Sequence, residues 1–208
     1  MNYLQKKKMA MMNSVASGGR LPSEYQEVEW IGSDGTNSLS YIAEQSGSDY
    51  EHTFIFEIDR FGNYNALITE QLGGNGTGFR INQTSHKLRM GYRTGNWSDV
   101  GNALSLNTKY KVVFDKNGVS LDDTFISTIP IGNFNSTLSV LNIKTSNQVY
   151  GLFGKTYSIQ CRKDGNLIRD LVPCYRKSDN VIGMYDLIDD EFLTKLNGND
   201  FTKGNDVN

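Results

Sequence analysis

From Tyr25 to Phe201 the chain runs in short stretches of alternating apolar and polar residues, each closed by Gly, Asn or Asp. That rhythm constrains the fold more than any single motif, because period-two patterning belongs to strands and not to helices. The longest stretch, residues 52–59, sets Thr53, Ile55, Glu57 and Asp59 on one face and Phe54, Phe56 and Ile58 on the other. Further strands are expected at 27–31, 39–42, 66–70, 78–82, 87–92, 110–114, 119–121, 138–143, 156–163, 167–175 and 181–187. Asn117-Gly118 and Asp164-Gly165 sit between such runs, and these pairs supply the positive φ of tight hairpins. About a dozen short strands with turns of this kind imply two packed antiparallel sheets in one domain.

The first residues read differently. Leu4, Lys8, Met11, Met12 and Val15 recur at helical spacing across residues 2–16. An isolated helix of that length is marginal in water, so the Leu4, Met11, Met12 and Val15 stripe should dock on a partner. Ser17-Gly18-Gly19 ends the segment as a hinge. Three parts follow: a helical anchor over 1–19, a sandwich domain over 20–201, and a polar tail over 202–208 expected to be loose. Lys6-Lys7-Lys8 ahead of a short apolar stretch imitates a secretion signal, but Asn13 and Ser14 interrupt it, so cleavage and export are not expected.

Composition narrows the partners. With 21 Lys and Arg against 23 Asp and Glu, the net charge of -2 provides no field for a phosphate backbone, and nucleic acid is not expected. No apolar run approaches the roughly 18 residues needed to span a bilayer, so no membrane partner is expected. Cys161 and Cys174 lie on either side of the Asp164-Gly165 turn. Pairing across it would leave the sulfurs on the order of 20 Å apart at about 3.3 Å per residue. Free thiols are expected, as in a protein that matures in a reducing cytoplasm.

No nucleophile–base system is legible. His52 and His86 stand alone and read as surface hydrogen-bonding groups. Gly74-Asn75-Gly76-Thr77-Gly78 lacks the Lys-Ser/Thr of a phosphate loop and leads into a strand, so it reads as a hairpin loop. Calcium is conceivable at Asp122-Asp123 or Asp34, but two adjacent acids fall far short of six oxygens, and no metal or cofactor is expected.

Two stretches carry a family resemblance. Leu21-Pro22-Ser23-Glu24-Tyr25-Gln26-Glu27-Val28-Glu29-Trp30-Ile31 resembles the opening of concanavalin A-like, laminin-G-like jelly-roll domains found in structural proteins of bacteriophages and prophages of gut bacteria. Gly154-Lys155-Thr156-Tyr157-Ser158-Ile159, Leu167-Ile168-Arg169-Asp170-Leu171-Val172-Pro173-Cys174 and Ile182-Gly183-Met184-Tyr185-Asp186-Leu187 resemble the C-terminal hairpins of the same family. The resemblance covers both ends and reaches roughly 60–150 only through strand pattern. After Trp30-Ile31 the family usually continues with a Ser-Thr-Gly-Thr run, and Gly32-Ser33-Asp34-Gly35-Thr36-Asn37 departs from it.

The resemblance implies an all-β, two-sheet antiparallel jelly-roll sandwich behind a short N-terminal helix. It implies a virion protein without catalytic activity, made in the host cytoplasm, with capsid, tail or fibre proteins as partners and a homotrimer as one possible assembly. Jelly-roll glycoside hydrolases set their carboxylates along one strand, and Glu57-Ile58-Asp59 begins such a row. Phe61 and Gly62 stand where the second catalytic carboxylate belongs, so Glu57 and Asp59 read as a solvent-facing edge and no catalytic residue is assigned. The alternative function is a lectin-like module for a host surface glycan or receptor. Asn96, Trp97 and Asp99, in an expected loop over 93–99, would form its platform, with the indole stacking on sugar.

Overall fold

A computed structural model describes residues 20–36, 39–40, 50–62, 65–70, 77–92, 97–115, 117–128, 138–140, 142–144, 149–196 and 198–208. The anchor residues Leu4, Met11, Met12 and Val15 lie outside them, as does Asn96. Every regular element among the described residues is a strand. In chain order they are β1 (Tyr25–Glu27), β2 (Ile31–Asp34), β3 (Leu39–Ser40), β4 (Tyr50–Ile58), β5 (Asn65–Glu70), β6 (Thr77–Ile81) and β7 (Lys87–Tyr92). Then come β8 (Trp97–Ala103), β9 (Lys109–Asp115), β10 (Gly118–Leu121), β11 (Thr124–Ser127), β12 (Leu138–Val140), β13 (Asn142–Lys144) and β14 (Val149–Gly151). The last are β15 (Phe153–Lys163), β16 (Asn166–Arg176), β17 (Ile182–Asp186), β18 (Glu191–Thr194) and β19 (Thr202–Lys203).

Two antiparallel sheets face each other as a β-sandwich. The larger runs β11-β10-β9-β4-β15-β16-β17-β18, with β1 added to β16 and the β2–β19 pair added to β15. The smaller runs β3-β12-β5-β6-β7-β8, and β13 pairs with β14. Phe54, Phe56, Ile58, Val112, Phe114, Ile159 and Leu171 of the large sheet share one core with Phe79, Ile81, Leu88, Met90 and Val100 of the small one. The alternation expected along β4 therefore holds: 54, 56 and 58 face the partner sheet, while 55, 57 and 59 face outward. On the opposite face of β16–β18 a second cluster forms, where Leu21 and Tyr25 cover Val172, Cys174, Tyr185 and Phe192.

Turn chemistry fixes the registers. At Asp164-Gly165 both residues have positive φ (51° and 75°) and Lys163 pairs with Asn166, a two-residue hairpin of the kind the dipeptide favours. Gly118 has a φ of 138°, and a Cβ there would collide with the Ser127 carbonyl. Asp122 and Asp123 form a tight turn at φ 47° and 61°.

Several expectations are corrected. Residues 27–31 are not one strand, because the chain breaks at Val28–Trp30 as it passes from pairing with β16 to pairing with β15. Residues 138–143 divide between β12 and β13, which belong to different sheets. The tail is not loose: Thr202 and Lys203 pair with Gly32 and Ile31, and Asp206 bridges Val28. Phe201 is buried in the main core and holds the start of that tail in place. Cys161 and Cys174 are free, as expected, and both are buried. Burial pushes each thiol up to about 12, so neither is a reactive thiolate.

Candidate functional site

The outward face of the large sheet carries the densest polar chemistry where β2, β15, β4 and β9 run side by side. Lys155 on β15 lies opposite Glu57 on β4, and Glu57 lies opposite Lys109 on β9. The register slip between Thr156 and Ser158 sets Tyr157 beside the same carboxylate. Lys155 Nζ donates to Glu57 Oε1 at 2.5 Å, and Tyr157 Oη donates to Glu57 Oε2 at 2.9 Å. Asp59 Oδ1 is 3.6 Å from the same ammonium.

Three half-buried aromatic rings line this strip, and each has a cation. Arg60 lies over Phe153 at 4.0 Å, Lys109 over Tyr157 at 3.8 Å, and Lys155 is 5.4 Å from the centre of Trp30. The first two are close enough to occupy a ring face. The third is not, which makes Trp30 the ring best placed to stack on something else. Its seat explains Gly204, where a Cβ would come within 2.7 Å of Trp30 Nε1; at Gly32 a Cβ would collide with Thr202 Oγ1 and come within 3.2 Å of Trp30 Cζ3. The indole thus lies across the β2–β19 pair, with Gly204 N donating to the Trp30 carbonyl beneath it.

The charge states here are locked. The hydrogen bond from Lys155 holds the Glu57 carboxyl below its ordinary value, with Tyr157 and Lys109 acting the same way against the opposing effect of burial. That same bond raises Lys155. Burial, then the Glu57 acceptor, push the Tyr157 phenol up to about 12. Such an arrangement presents fixed donors and acceptors near neutral pH and exchanges no proton there.

Other sequence candidates take structural roles. Glu57 is not a solvent-facing edge: its strand is flanked on both sides and the residue is 9% exposed. Asp59, just past that strand, is the open one, its side chain 47% exposed. His52 is not on the surface either. It is fully buried, stacked on Phe114 at 4.9 Å, with Nε2 3.9 Å from Cys161 Sγ. His86 stacks flat on Phe61 at 3.7 Å. Asp122 and Asp123 hold their own turn by accepting from the Lys111 amide and ammonium. Asp34 accepts from Thr36 and from Asn199 Nδ2, and these bonds lower its pKa although burial opposes them. Among the described residues no group of three or more His, Cys, Asp or Glu could hold a metal.

The expected Asn96–Trp97–Asp99 loop is in part a strand. Trp97 opens β8 opposite Gly91, and Asp99 lies opposite Arg89. Asp99 is already engaged by Asn82, Ser85 and Arg89, whose bonds keep its carboxyl low against the opposing effect of burial. Trp30, Lys155 and Tyr157 were within reach of the sequence, since they belong to the two end stretches that carry the family resemblance. What the sequence lacked was the β2–β15 pairing that brings those ends together. No helix among the described residues is long and apolar enough to cross a membrane.

No protein-family model matches the chain, and no curated protein does. Solved structures share the fold. A Bacteroides ovatus protein, provisionally described as carbohydrate-binding, superposes with a TM-score of 0.57 at 13% identity over 90% of this chain. The match spans 62% of that protein, about three fifths of its length. A Trypanosoma rangeli sialidase bound to a difluorosialic acid matches with a TM-score of 0.50 and 16% identity, over 69% of this chain and 26% of the sialidase. A protein provisionally described as carbohydrate-binding and about a quarter of a sialidase therefore share this architecture.

Proposed function

We propose that this chain is a non-catalytic carbohydrate-binding module on a concanavalin A-like jelly roll, with its sugar platform on the outer face of the large sheet around Trp30. The observation that carries the reading is a half-buried indole seated on glycines beside the locked Lys155–Glu57–Tyr157 group. Sugar recognition needs an aromatic face for the ring's C–H surface and fixed polar groups for its hydroxyls, and the strip supplies both.

Binding is favoured over hydrolysis on charge grounds. Retaining hydrolysis needs one carboxylic acid with a raised pKa near a second, nucleophilic carboxylate. Glu57 is displaced in the opposite direction and both its oxygens are taken. A glycan array with wild type, Trp30→Ala and Trp97→Ala tests the assignment. Binding that disappears only in Trp30→Ala supports this platform, and loss only in Trp97→Ala moves the site to β8. No binding by wild type rejects the function.

A particle-bound structural role is the second reading, favoured by the resemblance of both ends to phage structural domains. Leu4, Met11, Met12 and Val15 would then form the attachment stripe. Deleting residues 1–19 should abolish incorporation into particles while the sandwich still folds, and normal incorporation would refute it. Virion partners and a sugar ligand are compatible, since they engage different parts of the chain.

A further inference from the structure

Among the described residues, the charged heads around Trp30 and Glu57 are each in contact with a neighbour. Lys155 serves Glu57 and Asp59, Lys109 sits on Tyr157, and Arg60 sits on Phe153. Asp34, opposite Phe153 in the register, is saturated by Thr36 and Asn199. Among these described groups three cations (Arg60, Lys109, Lys155) balance three carboxylates (Asp34, Glu57, Asp59), and Lys111 on β9 is balanced by Asp123.

A sugar acid is recognised by a charge-assisted fork, most often a guanidinium meeting the carboxylate or sulfate with two hydrogen bonds. The Arg60 guanidinium of this strip lies over Phe153, 4.0 Å from the ring centre, while the Lys155 ammonium, the cation 5.4 Å from the Trp30 ring, is already paired with Glu57 and Asp59. The most open charge of the Lys155–Glu57–Asp59 group is Asp59, a carboxylate that repels an anion and accepts from a hydroxyl. Its oxygen and the Lys155 ammonium, 3.6 Å apart, form an acceptor and a donor side by side. Two neighbouring hydroxyls of one sugar ring match that pair, one donating to Asp59 and the other accepting from Lys155.

We infer that the Trp30 platform takes an uncharged pyranose and discriminates against anionic sugars, with Asp59 and Lys155 gripping a vicinal hydroxyl pair. The inference rests on the carbohydrate-binding reading. It also separates this chain from the sialidase of which about a quarter matches its fold, since fold alone does not transfer a ligand.

The test uses the intact 208-residue chain on an array carrying matched neutral, sialylated, sulfated and uronate forms of the same glycans, followed by titration calorimetry. Neutral members should bind, and their anionic counterparts should be weaker by about tenfold or more. Asp59→Asn should weaken neutral binding by about tenfold, as expected for one lost charge-assisted hydrogen bond, without altering the fold. Raising salt from about 0.05 to about 0.5 M should change affinity less than about twofold, because no net charge is being screened. Preference for an anionic member, or a loss of about tenfold with salt, overturns the inference and leaves the carbohydrate reading standing. Failure of wild type to bind any sugar overturns both.

Discussion

His52 makes the stability of this fold depend on pH in a window where its carboxylates are nearly silent. It is fully buried between Tyr50 and Phe114, and burial lowers its pKa from an ordinary 6.5 to about 3. The unfolded chain takes up a proton below pH 6.5 and the folded chain does not, so stability is lost as pH falls through that value. With those two values the linkage relation gives a loss of about 2 kcal/mol between pH 7.5 and 5, approaching about 1.4 kcal/mol per pH unit. Asp34, Glu57 and Asp99, whose pKa values are lowered, act mainly below pH 5, because their ordinary values are 3.8 to 4.5. Urea titrations at pH 7.5, 6.5, 5.5 and 5.0 should show midpoints falling by about 1 M in all, for a slope near 2 kcal/mol/M. His52→Phe and His52→Gln should flatten that dependence to under about 0.5 kcal/mol. A wild-type curve flat over the window, or variants that keep the wild-type pH dependence, would show that His52 is protonated in the fold or does not govern the effect.

Three further outcomes follow from packing. Thr156 is 1% exposed and its hydroxyl has no hydrogen-bond partner among the described residues, so Thr156→Val should stabilise by about 1 kcal/mol by chemical denaturation, and a loss would reveal a hidden partner. Phe201→Ala should cost about 3–5 kcal/mol and release the β19 pairing, read as faster amide exchange at Thr202 and Lys203; a cost under about 1 kcal/mol would mean the tail is held without it. Gly204→Val should displace the Trp30 indole, shifting its fluorescence and abolishing sugar binding while thermal unfolding stays cooperative; unchanged binding would remove Trp30 from the site.

The sequence disclosed those parts of the fold that local chemistry dictates. The two faces of β4 and the Asp164-Gly165 hairpin were legible because period two and positive φ leave marks on residue types. The start of β8 looks like loop in the sequence because an edge strand reading Trp-Ser-Asp-Val-Gly-Asn-Ala sends only Val100 into the core among its described side chains. The tail was read as loose because backbone pairing of Thr202 and Lys203 needs no apolar side chain. The site was half legible: its residues stood in the quoted end stretches, yet only long-range register puts Trp30 beside Lys155 and Lys155 beside Glu57. The burial of His52 is invisible in the sequence because one histidine in an alternating run says nothing about which partners lie across the sheet.

The stitching of the tail also sets how the domain would bear force. A bound sugar would pull on Trp30, and anything holding the chain upstream would pull on Arg20. The path between them runs along β1 on β16, the Val28–Asp206 bridge, and the bonds from Val28 N to Pro173 O, Lys177 N to Glu24 O, Val207 N to Glu27 O and Glu29 N to Asn205 O. The shared core of the two sheets lies off that path. Tension would therefore load a short clasp made by the two ends of the domain, and the sandwich could stay folded while the clasp slips and re-forms.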